Sequence, residues 1–134
     1  MEIRTIEFPE HGDERGTLVA IEANRDIPFE VKRVYYMYDT TKDTTRGRHA
    51  HKELKQVLIC VHGSCTIMLD DGSERVDVLL DRPNVGLYVD SVLWREMHSF
   101  SPDTVLMVLA SEYYAEADYI RNYSDFLTYV EEVH

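Results

Sequence analysis

The sequence has few cysteines, no long apolar run and little positive charge. Its two cysteines, Cys60 and Cys65, lie in apolar segments on either side of an expected hairpin turn. In the cytosol such residues are usually reduced and packed in the core. No apolar run approaches the roughly 20 residues that a membrane helix needs, and the N-terminus is not a basic-then-apolar signal. We therefore expect a cytoplasmic protein that has no membrane contact.

Positive charge is scarce: 14 lysine and arginine residues face 25 aspartate and glutamate residues, for a formal net charge of −11. This balance argues against nucleic acid as a partner, because a phosphate backbone is bound by a basic surface. An anionic small ligand would need a local group of arginines. A chain of 134 residues suffices for one core, so we expect a single domain over residues 1–134.

Short apolar segments, separated by turn residues, make up most of the chain. The predicted strands are 3–8, 17–22, 31–38, 56–61, 64–69, 75–80, 86–89, 92–98 and 104–110, with a loop over 9–16. The period changes only near the C-terminus, where apolar residues recur every three or four positions from Tyr119 to Val130 and predict one to three helical turns. The pattern predicts an all-β sandwich or barrel, with the jelly roll as the natural candidate, and a short C-terminal helical segment.

Two histidines mark the functional stretch of the sequence. His49 and His51 lie where a polar loop becomes an alternating apolar run. Side chains at i and i+2 of a strand share a face, so both imidazoles should point to one side. They could serve as metal ligands, as proton-transfer groups, or simply as two histidines on a solvated face.

The stretch resembles the first cupin motif, in which a glycine precedes an HxH pair, a glutamate follows and a second glycine ends the run. Gly47 and Gly63 fall at workable spacings around the histidines, whereas Lys55 or Gln56 takes the place of the glutamate. This departure removes the carboxylate ligand of the first motif.

The second cupin motif departs in the same way. Met97 occupies the position of its histidine, and His98, one residue later, should face the opposite side of its strand. Two imidazoles, an amide and a thioether suit a hard divalent ion poorly. We therefore predict no catalytic metal and no other cofactor. Imidazoles of ordinary pKa, about 6.5, could instead transfer protons near neutral pH.

A longer resemblance covers nearly the whole chain. The segments 15–22, 31–40, 46–58, 86–100 and 108–126 resemble, in family order, the sugar 3,4-ketoisomerases of the WxcM/FdtA type. The resemblance implies a metal-free cupin jelly roll that forms a homodimer. It also implies an enzyme that converts TDP-4-keto-6-deoxy-D-glucose to a TDP-3-keto-6-deoxyhexose and feeds 3-amino-3,6-dideoxy sugars into surface polysaccharides.

Moving a ketone from C4 to C3 requires removing the proton on C3, passing through an enediol and returning a proton to C4. We assign His49 and His51 to these proton transfers, one at carbon and one at oxygen, without deciding which does which. Tyr35 is the candidate third member, since a phenol can donate to a developing oxyanion. Tyr36, on the opposite face of the strand, competes for this role.

The diphosphate of such a substrate calls for arginines, which contact phosphate with two parallel hydrogen bonds. The predicted substrate-binding residues, all in segments that match the family, are Arg15, Arg33, Arg46 and Arg95. Trp94 is expected to line the barrel. Tyr113 and Tyr114, with the acidic segment 115–118, are expected to form a structural cap.

Two other functions stay open at the level of sequence. A related metal-free cupin epimerase of nucleotide sugars would remove a proton next to the C4 ketone but return it to the same carbon. A non-catalytic sugar-binding cupin would bind the sugar without turnover. The position of the carbonyl in the product separates the first alternative from a ketoisomerase.

Overall fold

Two five-stranded antiparallel sheets form the body of the chain in the computed structural model, which describes residues 1–134. The strands are β1 (Arg4–Glu7), β2 (Glu10–Asp13), β3 (Gly16–Val19), β4 (Arg33–Met37), β5 (Arg46–His51), β6 (Gln56–His62), β7 (Cys65–Asp70), β8 (Arg75–Leu80), β9 (Val85–Val89), β10 (Trp94–His98), β11 (Val105–Ala110) and β12 (Tyr119–Ile120). The first sheet has the order β1-β9-β6-β11-β4 and the second the order β12-β5-β10-β7-β8. A short 3₁₀ helix (Glu116–Asp118) precedes β12, and one α-helix, α1 (Tyr123–Val133), follows it.

The main core lies between the two sheets. Side chains alternate along each strand, so that on β6 Leu58 and Cys60 face this core while Val57 and Ile59 face outward. The outward face of β6 forms a second hydrophobic cluster with Ile27 and Phe29, which lie in the segment between β3 and β4, and with Phe8. The central strands of the first sheet are therefore buried on both faces, which explains why they are nearly continuously apolar.

The predicted all-β jelly roll with a C-terminal helical segment is confirmed. The two sheets pack as a sandwich and are not joined by hydrogen bonds into a closed barrel. The helix begins after Asn122, whose side chain accepts a hydrogen bond from the backbone amide of Asp125, as expected of an N-cap residue. Tyr119, which shares the apolar spacing of the helix, lies instead in β12.

The N-terminal region differs from the prediction. The expected loop over 9–16 contains β2, which pairs with β3 as a separate two-stranded sheet, and the expected strand over 17–22 ends at Val19. Nearly every residue of this hairpin is exposed. The prediction of a loop was wrong because residues 10–13 are charged or glycine and bury no face of a sheet. A strand of this kind has none of the apolar alternation by which strands are recognised.

Trp94 does not line the interior, contrary to the prediction. It points to the outer face of the second sheet, with ring centroids 5.3 Å from Tyr123 and 5.9 Å from Phe126 of the helix. Cys60 and Cys65 are buried and unbridged, as predicted. No helix of the chain has the length and apolarity needed to cross a membrane.

Candidate active site

A cavity of about 350 Å³ opens at one end of the sandwich. This volume is in the range of small-molecule sites. Its wall comes from β4, β5, β10 and the segment around β12, and its lining residues are Arg33, Tyr35, Met37, Arg46, Gly47, Arg48, His49, Met97, Tyr119 and Arg121. Four of these ten residues are arginines, and none is an aspartate or a glutamate. In a chain of net charge −11, this local excess of positive charge favours an anionic ligand.

A β-bulge shapes the floor of the cavity. Arg95 pairs with His49 across β10 and β5, but the next pair joins Met97 to Arg46, so the register shifts by one residue. Gly47 lies at this shift with φ of 69°, and a Cβ atom there would be 3.2 Å from the Cε of Met97. The positive φ favours glycine here, and a Cβ atom would also displace the flexible end of Met97 slightly. His98 bonds to Ser99 and does not line the cavity, as its strand position predicted.

The two histidines share the inner face of β5. Their ring centroids lie 4.8 Å apart with the planes nearly perpendicular. The ring of Tyr119 packs against both, at 4.9 Å from His49 and 4.4 Å from His51. The Nε2 atom of each histidine is buried and has no hydrogen-bond partner in the protein. Such unpaired buried atoms are costly, and a bound substrate would supply the missing partners.

The orientation of His51 is set by Asp118. The Nδ1 atom of His51 lies 3.0 Å from Oδ2 of Asp118, and the same carboxylate accepts hydrogen bonds from the backbone amides of Glu53 and Leu54. A carboxylate only accepts hydrogen bonds, so Nδ1 of His51 carries the hydrogen. The lone pair is therefore on Nε2, the atom without a partner.

Burial makes both imidazoles weak proton acceptors in the absence of substrate. It lowers the pKa of His49 from 6.5 to about 2 and that of His51 to about 3, and the positive charge of Arg95 is the next largest cause for both. The ordinary pKa expected from the sequence is therefore wrong. Both rings are neutral at physiological pH, which is the form that a general base requires.

Tyr35 and Tyr36 lie on opposite faces of β4. Tyr35 lines the cavity, and its hydroxyl oxygen accepts a hydrogen bond of 2.7 Å from Nε2 of Gln56. Tyr36 is 62% exposed on the outer face of the sheet, where it stacks on Tyr38. Of these two tyrosines, only Tyr35 lines the cavity.

The four arginines predicted to bind substrate occupy three different environments. Arg33 and Arg46 line the cavity, and Nε and Nη2 of Arg33 have no partner in the protein. Arg15 lies on the exposed hairpin, pairs with Asp13 and does not line the cavity of its own chain. A contact between Arg15 and the substrate is therefore not formed within one chain.

Arg95 requires a correction. Its side chain is fully buried, it does not line the cavity, and it donates hydrogen bonds to the carbonyl of Leu93 and to Gln56. Three of its five N–H donors are thus used within the protein, behind the histidines. The predicted contact of Arg95 with phosphate finds no support in this structure, because the side chain is fully buried and does not line the cavity.

Several site residues were not recognised in the sequence. Arg48 lines the cavity from β5. The segment expected to be a cap instead contains Asp118, which bonds His51, and is followed by Tyr119 and Arg121 in the cavity wall. The guanidinium of Arg121 lies 4.1 Å above the ring of Tyr119 and pairs with Glu116. The sequence signal was present, since these residues lie within the family-like segment 108–126, but their acidic neighbours favoured a surface interpretation.

The cupin ligand positions are occupied by side chains with other uses. Gln56, rather than Lys55, points inward at the position of the motif glutamate, and Met97 packs against Gly47. No group of three or more histidine, cysteine, aspartate or glutamate side chains is arranged to hold a metal ion. The donor set that remains suits proton transfer better than coordination of a hard cation.

A jelly-roll sandwich with two neutral histidines at a cationic cavity defines a cupin-like protein whose site is suited to proton transfer on an anionic ligand. The chain belongs to the family described as "FdtA: WxcM-like, C-terminal", whose model matches residues 1–131. The chain is 54% identical over 133 residues to the TDP-4-oxo-6-deoxy-alpha-D-glucose-3,4-oxoisomerase of Aneurinibacillus thermoaerophilus, covering 99% of this chain and 96% of that protein.

Solved structures of 3,4-ketoisomerases have the same fold. The enzyme from Helicobacter canadensis superposes with a TM-score of 0.95 at 50% identity, over 98% of both chains. A histidine-to-asparagine mutant of the 3,4-ketoisomerase QdtA from Thermoanaerobacterium thermosaccharolyticum, in complex with TDP-4-keto-6-deoxyglucose, also has a TM-score of 0.95. It is 47% identical and covers 97% of this chain and 94% of its own. The predicted sugar 3,4-ketoisomerase family and isomerase activity are thereby confirmed.

Proposed function

We propose that this enzyme converts TDP-4-keto-6-deoxy-D-glucose to a TDP-3-keto-6-deoxyhexose, a precursor of 3-amino-3,6-dideoxy sugars. One observation carries the proposal: neutral His49 lies in the wall of a cavity lined by four arginines and no carboxylate, neutral His51 packs against it at 4.8 Å, and the Nε2 atom of each histidine is unpaired. The histidines are suited to move protons, and the arginines are suited to hold a diphosphate.

The diphosphate is bound by the arginine group of the cavity wall. Arg33 has two unpaired donor atoms. Arg46, Arg48 and Arg121 also line the cavity, the last two with ion pairs to Glu96 and Glu116 at their other side. Guanidinium groups present their donors in a planar fork that matches phosphate oxygens. This assignment keeps Arg33 and Arg46 from the sequence prediction and adds Arg48 and Arg121.

The first step removes the proton from C3. Nε2 of His51 takes this proton, the C–H electrons form the C3–C4 double bond, and the C4 carbonyl electrons move to its oxygen. Asp118 supports the resulting imidazolium through the hydrogen bond to Nδ1. The Tyr35 hydroxyl donates a hydrogen bond to the oxygen that becomes negative.

The second step completes the isomerisation without any change in redox state. The C3 hydroxyl loses its proton as the C3 carbonyl forms, and that proton reaches the C4 oxygen by way of His49, whose ring adjoins that of His51 at 4.8 Å. The imidazolium of His51 returns its proton to C4. Both histidines end neutral, so the enzyme is ready for the next turnover.

The proposed state is a homodimer in the cytoplasm. Strand β4 is an unpaired edge of the first sheet; Val34 and Tyr36 on it are 53% and 62% exposed, and Tyr38 just after it is 63% exposed. An exposed apolar edge is usually covered by a partner. The predicted substrate contact of Arg15 would then require the hairpin to reach the cavity of the second copy. Sedimentation equilibrium should give about twice the chain mass of 15.7 kDa; a monomer at micromolar concentration contradicts this state.

Proton NMR in heavy water tests the activity directly. The EDTA-treated protein is mixed with TDP-4-keto-6-deoxyglucose, and we expect the carbonyl to move to C3, with deuterium at C4 in those turnovers in which the His51 imidazolium exchanges with solvent before it returns a proton. Deuterium uptake with the carbonyl still at C4 would identify an epimerase. Binding without any exchange would identify a non-catalytic cupin. Activity that requires added divalent metal after EDTA treatment would contradict the metal-free mechanism.

A further inference from the structure

A single buried amide links the two sheets behind the cavity. Gln56 on β6 is completely buried. Its Oε1 atom accepts a hydrogen bond from Nη1 of Arg95 on β10, and its Nε2 atom donates to the hydroxyl of Tyr35 on β4 at 2.7 Å. The chain of hydrogen bonds therefore crosses the core from the second sheet to the first and ends at the wall of the cavity.

The direction of these hydrogen bonds is determined by the chemistry of the groups. A guanidinium has donors and no acceptor, so the amide must turn its oxygen to Arg95 and its nitrogen to Tyr35. The amide NH₂ can only donate, so the phenol oxygen must accept. The hydrogen of the Tyr35 hydroxyl consequently cannot point to Gln56, and the hydroxyl has no other partner in the protein. It remains available to an acceptor in the cavity.

Arg95 keeps the amide in this orientation. Its Nε and Nη2 atoms donate to the carbonyl of Leu93, at 3.3 and 3.1 Å, and its side chain is fully buried. Burial lowers the pKa of Arg95 to about 10, so the group is still charged at neutral pH. Burial also raises the pKa of Tyr35, so the phenol keeps its hydrogen. A fixed charge at one end of such a chain polarises the bonds that follow.

We propose that Gln56 is a positioning residue that makes the Tyr35 hydroxyl an obligate hydrogen-bond donor toward the substrate oxygen that becomes negative. This inference rests on the proposed ketoisomerase function. It also gives a physical reason for the departure from the cupin motif at this position. A carboxylate at residue 56 would accept the hydrogen of the Tyr35 hydroxyl and turn it away from the cavity, whereas an amide held by Arg95 cannot.

The substitution Gln56→Glu tests the proposal because it has nearly the same shape and still pairs with Arg95. The new carboxylate should accept from Tyr35 and reverse its hydroxyl. We expect kcat to fall about 10²-fold, as on the loss of one oxyanion donor, while KM and the Kd for TDP stay within about twofold. A simple packing role would not separate kcat from KM in this way. A kcat equal to that of the wild type would overturn the proposal.

A second pair of variants asks whether Gln56 acts through Tyr35. Tyr35→Phe removes the hydroxyl, so adding Gln56→Glu to Tyr35→Phe should change kcat by less than about threefold. Tyr113→Phe, an exposed tyrosine that does not line the cavity, is the control and should keep wild-type kcat. An equal loss from Gln56→Glu with and without the Tyr35 hydroxyl would mean that the new charge acts directly on the site, and would overturn the proposal.

Folding and function are controlled separately. TDP binding by calorimetry reports whether each variant is folded. Should Gln56→Glu not bind TDP, Gln56→Met, which removes both hydrogen bonds without adding charge, carries the same test: it should lower kcat in the presence of Tyr35 and not in the Tyr35→Phe background. If the wild-type protein does not move the carbonyl, the ketoisomerase function fails. If the wild type is active and residue 56 is without effect, only the positioning role fails.

Discussion

The Nδ1 atom of His51 lies 3.0 Å from Oδ2 of Asp118, although 67 positions separate the two residues in the sequence. The carboxylate also accepts from the backbone amides of Glu53 and Leu54, so it is held in place independently of the histidine. This arrangement selects one imidazole tautomer and leaves Nε2 as the basic atom.

The substitution Asp118→Asn should therefore lower kcat by about 10²-fold or more, because an amide has one acceptor oxygen for three donors and can stabilise the wrong tautomer. Binding of TDP should change little. Steady-state kinetics and calorimetry measure the two effects. The control Asp103→Asn alters an exposed carboxylate in the turn before β11 and should behave as the wild type. A normal kcat for Asp118→Asn would show that the carboxylate does not orient the base.

Replacing His49 or His51 should abolish turnover while leaving the binding of TDP intact. His49→Asn and His51→Asn keep a polar side chain but cannot accept a proton, so we expect kcat to fall at least about 10³-fold. Because His51 is proposed to act at carbon, His51→Asn should also stop deuterium exchange at C3 of the substrate.

The control for this experiment is His98→Asn, on the outer face of β10. It should retain the wild-type rate. Rapid C3 exchange by His51→Asn, together with its loss in His49→Asn, would assign the carbon base to His49 instead.

The free energy of unfolding should fall as the pH is lowered through 6.5. In the folded chain the pKa of His49 is about 2 and that of His51 about 3, whereas both are near 6.5 in the unfolded chain. Between these values the unfolded state binds more protons, so stability rises with pH and is fully present above about pH 7. Going from pH 7.5 to 5.5 should cost roughly 1 kcal/mol per histidine.

Urea unfolding at several pH values measures this dependence. His49→Asn removes one of the two groups, so its stability should decrease less than that of the wild type over the same pH interval. The comparison between the two proteins cancels the contribution of the carboxylates, which they share. Equal pH dependence in both proteins would mean that the pKa of His49 is the same in the folded and unfolded states.

Removing a cavity arginine should weaken binding of the diphosphate. Arg33 lines the cavity, and Arg33→Ala loses two buried donor atoms that have no partner in the protein, so we expect the Kd for TDP to rise at least about tenfold. Arg33→Lys should recover only part of the affinity, because an ammonium group lacks the planar fork. Isothermal titration at low and high salt measures both effects, and the wild-type affinity should decrease with salt.

The matched control is Arg25→Ala, an exposed arginine in the loop between β3 and β4. Its Kd for TDP should equal that of the wild type. An Arg33→Ala variant with unchanged affinity at every salt concentration would exclude this residue from the phosphate site.

Local sequence pattern determined the fold class and part of the site. Alternation along the strands predicted the sandwich and placed His49 and His51 on one face, because that relation depends only on the two-residue period of a strand. The same period separated Tyr35 from Tyr36 but could not say which of them faced inward. Strand β2, which pairs with the strand predicted from residue 17, was missed because residues 10–13 bury no face and carry no apolar alternation.

Only the tertiary structure decided which distant residues complete the cavity and how they titrate. The contact between Asp118 and His51, the burial of Arg95 and the amide bridge of Gln56 all depend on the register between strands and on the packing of two sheets. A pKa depends on the surroundings of a group rather than on its neighbours in the chain. The residue types were therefore readable in the sequence, whereas their partners and protonation states follow from strand pairing across long sequence separations.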